Sequence, residues 1–145
     1  MKAINPYLNF NGNCEEAFNF YKSVFGGEFV MLMRFKDMPA EEMDEEHQIS
    51  DSEGQKIMHV SLPVGQGAIL MGSDVPSAMG TVQNGSNFAI AISADSEAET
   101  DEIFNGLSAG GQVTMPLDKM FWGAYFGMLT DKFGIQWMVS YDYPQ

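Results

Sequence analysis

Gly26-Gly27-Glu28-Phe29 returns as Gly110-Gly111-Gln112-Val113, 84 positions later, and each glycine pair ends a helical pattern and opens a strand-like one. A chain that repeats such a junction is constrained to build two copies of one supersecondary unit. The opening strands keep the same offset, with Asn5 falling on Ala89. By the final strands the offset has shrunk to about 67, since Met71 falls opposite Met138. An acidic segment, Asp37–Gly54, occurs only in the first half and has about the excess length needed. One duplication and one insertion account for all three relations.

Within the first half, residues 3–10 alternate, with Ile4, Leu8 and Phe10 on one side and Asn5, Tyr7 and Asn9 on the other. This is the period of a strand, and Pro6 places it at a sheet edge or an early bulge. Asn13 is the expected N-cap of a helix carrying Ala17, Phe18, Tyr21, Val24 and Phe25 at helical spacing, closed by Gly26-Gly27. Strands follow over 28–35, then over 57–64 and 68–73, the last two joined as a hairpin through Gly65-Gln66-Gly67. The second half repeats the order: strand 88–93, a helix over 96–109 capped by Asp95 or Ser96, and strands near 112–117, 125–130 and 135–141. The expected fold class is α+β, two βαβββ modules over 1–80 and 85–145 in one 1–145 domain. Their two four-stranded mixed sheets would carry helices outside and enclose a concave space between their inner faces.

Composition narrows the function classes. A chain of 145 residues with 45% apolar content can bury a full core without staples. The lone Cys14 cannot form an intrachain disulfide, and the opening MKAINPYLNF lacks the apolar stretch of a signal peptide, so a cytoplasmic home is expected. No apolar run is long enough to span a bilayer. A net charge of −13 repels phosphate backbones and anionic headgroups, which argues against nucleic-acid and membrane partners. The block Glu41–Glu46 reads as a solvated surface segment, with a flap over a pocket as the alternative for residues 37–54.

The residues themselves supply a resemblance. PYLNFNGNCEEAFNFYKSVFGGE at the start, IMHVSLPV-GQGAILMGSD in the middle and MFWGAYFGMLTDKFGIQWMV at the end are similar to the PhnB-like proteins. These form a branch of the vicinal-oxygen-chelate superfamily, the glyoxalase, bleomycin-resistance and dioxygenase proteins, and are often misnamed demethylubiquinone methyltransferases. The blocks reach across both halves, and Phe121-Trp122-Gly123 with Asp131-Lys132-Phe133-Gly134 and Trp137 is the most specific. The resemblance implies the glyoxalase-like paired-module fold and a homodimer, which is also the commonest oligomer.

It also implies where a divalent metal would sit: on the first strands at Asn5 and Ala89, and on the last at Leu70 or Met71 and Met138. Apart from the Asn5 amide oxygen, none is a ligand for a hard cation or zinc. The neighbours Ile69, Gly72, Phe88, Ile90, Trp137 and Val139 lack donors too, so no metal and no cofactor are expected. Nor does a glycine-rich turn of the nucleotide-binding kind follow the first strand, which argues against a nucleotide-dependent methyltransferase.

Among groups able to do chemistry, His59 lies in an apolar strand and can serve as a general base or ligand, or simply complete a sheet. His47 beside the acidic run reads as solvated. Cys14 at a helix start is either an activated thiol or an incidental buried one. Glu28 and Asp74 are distant candidates beside His59 for a metal, too few to hold one. The expected ligand-pocket residues are Tyr7, Asn9, His59, Phe121, Trp122, Tyr125, Trp137 and Met138, an apolar lining with few polar groups; each can equally be core packing. The function expected is binding of a small organic molecule in this pocket, with the reaction undefined. A metal-dependent lyase, isomerase or dioxygenase, an antibiotic-sequestering binder, and a ligand-free dimeric scaffold are the alternatives.

Overall fold

The computed structural model describes residues 1–38 and 50–145. They form two compact units, Met1–Gln83 and Asn84–Gln145. The first contains β1 (Tyr7–Phe10), α1 (Cys14–Phe25), β2 (Met31–Arg34), a single turn α2 (Asp51–Gly54), β3 (Ile57–Val64) and β4 (Ala68–Asp74). The second contains β5 (Ile90–Ser93), α3 (Glu97–Ser108), β6 (Gln112–Lys119), β7 (Ala124–Thr130) and β8 (Gln136–Asp142). Each unit has one four-stranded mixed sheet, in the orders β1-β4-β3-β2 and β5-β8-β7-β6. The first pair in each order is parallel and the others antiparallel.

The strand registers reproduce the duplication at equivalent pairs, apart from the shifts within the β2–β3 and β6–β7 ladders. Tyr7 pairs with Met71 and Ala91 with Met138, while Met31 opposes Ser61 and Met115 opposes Met128. Tyr7 to Ala91 and Met31 to Met115 are both 84 residues, whereas Ser61 to Met128 and Met71 to Met138 are both 67. The offset changes between β2 and β3, where the acidic segment lies. Glu41–Glu46 and His47 fall outside the described residues, as does most of the segment read as a surface loop or flap.

Two local expectations are corrected and a third is narrowed. Ile4 is 84% exposed and lies outside β1. Pro6 has no N–H with which to extend the ladder. Its carbonyl accepts from Met71 N (3.1 Å), and the Asn5 side chain replaces backbone by accepting from Ile69 N (3.0 Å). Asn13 makes no side-chain cap. The N–H groups at the start of α1 go instead to Asp74 at the end of β4, whose Oδ1 accepts from Gly12 N (3.0 Å) and Cys14 N (2.9 Å). Its Oδ2 accepts from Ile57 N (2.8 Å), so one buried carboxylate ties the helix start to β3. Of the two caps expected for α3, Ser96 is the one used: its hydroxyl accepts from Glu99 N (3.0 Å).

The two long helices, α1 and α3, each pack one face of their own sheet. Cys14, Ala17, Phe18 and Tyr21 of α1 are fully buried, as are Val60, Leu62 and Leu70 of the sheet. Burying side chains of this size stabilises by roughly 1.5–3 kcal/mol each. Phe18 presses so close that a Cβ on Gly72 would lie 2.7 Å from its ring and 2.7 Å from the Leu8 carbonyl oxygen. In the second unit Phe104 presses on Gly127, where a Cβ would lie 2.8 Å away. Gly72 pairs with Val60, and Gly127 pairs with Val139. The two pairs are equivalent in the repeat, but glycine and valine have traded strands, and the aromatic has moved along the helix to match.

Candidate functional site

Alternation along the strands fixes what each sheet shows on the side away from its helix. In the first sheet Leu8, Val60, Leu62, Leu70 and Gly72 take the α1 side. Tyr7 and Asn9 of β1, Met31 and Met33 of β2, His59 and Ser61 of β3, and Met71 and Ser73 of β4 therefore take the other. Here the polar groups converge. His59 Nε2 is 2.8 Å from Ser61 Oγ, and His59 Nδ1 is 3.4 Å from the Tyr7 hydroxyl, the two rings tilted at 42° with centroids 5.7 Å apart. Ser61 is nearly buried at 7%, His59 is partly covered, and Tyr7 is 44% exposed. Met33 stands directly across from His59, and Met71 lies between Tyr7 and Ser61 on neighbouring strands.

The remaining pocket candidates divide by side. Met138 shares the side of the second sheet away from α3 with Phe126 and Met128. Trp122 packs edge-on to Phe126 (5.9 Å) and to Phe121 (5.2 Å) at the β6–β7 turn, which closes through Gly123 at φ 93°. Phe121 is 98% exposed and Trp122 56%. Tyr125 and Trp137 take the α3 side. Tyr125 donates to Asp101 (2.6 Å), and this bond, with burial next, pushes its pKa up to about 12. Trp137 is buried and its Nε1–H donates to Asp131 Oδ2 (2.8 Å), whose Oδ1 accepts from Phe133 N and Ile135 N.

The repeat sharpens what is special about the first sheet. By the register offsets, Tyr7, His59 and Ser61 correspond to Ala91, Phe126 and Met128 in the second. The same fold is thus built there without a polar atom at any of these three side chains, so the fold does not demand the Tyr7–His59–Ser61 group. Ser61 was not singled out in the sequence, although its position two residues after His59 on a strand placed both on one side.

The other chemical candidates are occupied. Cys14 is fully buried, and burial, then the Asp74 and Glu15 carboxylates, push its thiol well above the ordinary range. This overrides any lowering by the helix start and leaves an inert thiol. Glu28 pairs with Lys22 (2.9 Å), and Asp74 holds three backbone N–H groups on the α1 side.

Two βαβββ units with this strand order define a glyoxalase-like protein. A model of the Glyoxalase/Bleomycin resistance protein/Dioxygenase superfamily matches residues 3–139, and the chain belongs to that superfamily, in its PhnB-like branch. It is similar to protein PA1353 of Pseudomonas aeruginosa, with 41% identity, TM-score 0.82, and 97% and 98% of the two chains covered. It is similar also to a putative 3-demethylubiquinone-9 3-methyltransferase, PhnB protein, of Bacillus cereus, with 25% identity, TM-score 0.71, and 95% and 98% covered. Protein YjdN of Escherichia coli K12 is 29% identical over 143 residues, 94% of this chain and 93% of that protein.

The superfamily's metal positions can be tested against the side chains that occupy them. The Asn5 oxygen is engaged by Ile69 N, Leu70 is buried on the α1 side, Ala89 has no donor, and Met71 and Met138 offer thioethers. Hard divalent ions ask for several oxygen or imidazole donors, so these residues do not fit one. Among the described residues no three His, Cys, Asp or Glu side chains are grouped to hold a metal.

Proposed function

We propose that this protein binds a small, largely apolar organic molecule on the side of the first sheet away from α1. His59 is its acid–base group, and the superfamily's divalent metal takes no part. The observation that carries the reading is the Tyr7–His59–Ser61 group, present in one copy of a duplicated fold and replaced by alanine, phenylalanine and methionine in the other. Met31, Met33 and Met71 supply an adaptable apolar surface around it. Asn9 and Tyr7 add polar orientation beside an otherwise apolar lining, the usual composition of a ligand site. The methyltransferase name of the Bacillus cereus relative is not carried over in this reading. In the turn between β1 and α1 the Gly12 and Cys14 N–H groups are already held by Asp74, which takes them away from any nucleotide-like cofactor. A homodimer and a cytoplasmic location complete the reading, the latter suited to a lone buried thiol.

The test is a small-molecule screen on protein carrying 13C-methyl methionine, with Met33 and Met71 as reporters. Hits are expected to shift those two methyls, and His59→Ala is expected to weaken them. Product formation separates an enzyme from a sequestering binder. A stoichiometric Zn, Ni or Fe ion that survives dialysis and is lost on mutating the first sheet would refute the metal-free reading.

A further inference from the structure

We propose that the ligand carries a hydroxyl on a flat unsaturated body, a phenol or an enol, and that Ser61 is the positioning residue that readies His59 for it. This rests on the binding reading above and adds the class of molecule. A neutral imidazole has one N–H and one lone pair. Of the two hydroxyls beside His59, the phenol of Tyr7 is the stronger donor, so we assign the lone pair to Nδ1, the nitrogen nearer Tyr7, and the hydrogen to Nε2. In that tautomer Nε2–H donates to Ser61 Oγ, 2.8 Å away. Ser61 sits on the same strand as His59 and is nearly buried, so this partner is fixed.

The other end of the ring is under-used. The Tyr7 hydroxyl is 3.4 Å from Nδ1, well beyond the roughly 2.7–3.0 Å of a good hydrogen bond. One ligand oxygen seated at ordinary distance from both would donate its hydrogen to Nδ1 and accept from Tyr7. A hydroxyl does both at a single atom, whereas a carbonyl or carboxylate cannot donate and an ammonium cannot accept. Among the described residues this side of the sheet carries no Lys or Arg, so an anionic ligand would find no counter-charge. The thioethers of Met33 and Met71 favour contact with an aromatic or conjugated plane.

The experiment compares 4-ethylphenol, which keeps its hydroxyl hydrogen at neutral pH, with 4-ethylanisole, its methyl ether, on the full chain. Methionine-methyl shifts report binding, and 15N-histidine spectra report the tautomer, with His47→Gln used to assign His59. Expected are saturable shifts of Met33 and Met71 by 4-ethylphenol, and binding of 4-ethylanisole weaker by about three- to tenfold, the effect of losing one such hydrogen bond. Tyr7→Phe and Ser61→Ala should each weaken 4-ethylphenol about as much. Ser61→Ala should also mix the tautomers, and Ser61→Thr should restore both binding and the single tautomer. Equal binding of the ether, or hydrogen on Nδ1 in the free protein, overturns the inference while leaving the binding reading standing. No shift from 4-ethylphenol overturns the inference as well, and an empty library screen on the same reporters overturns both.

Discussion

Removing the Asp74 carboxylate should cost more than any surface change in the first unit. Its oxygens accept from Gly12, Cys14 and Ile57 N–H groups at 2.8–3.0 Å, and Asp74 itself is 3% exposed. Gly12 is exposed, so water can replace its partner, but Cys14 and Ile57 are buried and their N–H groups would be left orphaned. At roughly 2 kcal/mol per buried bond to a charged acceptor, Asp74→Ala should lose about 4 kcal/mol. That is a large share of the roughly 5–15 kcal/mol of a typical domain. With an m-value of about 2 kcal/mol per molar urea, the midpoint should fall by about 2 M at unchanged m. Asp74→Asn keeps one acceptor but turns an amide N–H₂ toward the Ile57 or the Cys14 N–H, so it should still lose about 2 kcal/mol. Urea unfolding followed by circular dichroism reads both. A loss below about 1 kcal/mol for the alanine variant would show that α1 and β3 do not depend on this carboxylate.

Gly72→Ala should cost about 1–3 kcal/mol in the same assay, because the new methyl must displace Phe18 or the β1 backbone; a neutral result would mean the helix yields freely. Native Cys14 should resist a thiol reagent until the chain unfolds, and stability should fall as pH rises above about 8.5. The sign follows because the unfolded thiol gives up a proton that the buried one keeps. Cys14→Ala should remove that part of the decline. A second decline is expected above about pH 10, since Tyr125, held by Asp101, and Tyr143, through burial and its bond to Glu97, are both pushed up to about 12. Trp137→Phe should lose about 1–2 kcal/mol with the bond to Asp131, while Trp122→Phe should change stability by less than about 0.5 kcal/mol.

The elements were legible because their signals are local. Glycine pairs stopped both helices where expected, and the hairpin at Gly65–Gly67 and the strands around it followed from periodicity within about two residues. The offsets of 84 and 67 reappear in the strand registers because they are one fact, seen first along the chain and then across it. The Asp74 cap was not legible, since its partners at Gly12 and Cys14 lie about sixty residues away in sequence and Asn13 offered a plausible local substitute. Alternation also says that neighbours face opposite ways without saying which way the helix lies. Tyr125 and Trp137 therefore entered the same set as His59, though they face α3. Ser61 carried no signal of its own; only its spacing from His59 did.

The traded glycine and valine at Val60–Gly72 and Gly127–Val139 bear on how such a chain can be rebuilt. Each half has settled its own knob and socket, Phe18 with Gly72 and Phe104 with Gly127. A hybrid in which α1 and α3 changed places would bring each ring over the wrong strand, against a valine or over an empty hollow. Crossovers between residues 83 and 84 keep every knob with its socket, whereas crossovers between a helix and its sheet do not. The ancestral duplication has thereby become hard to reverse, with two related halves whose spare parts no longer interchange.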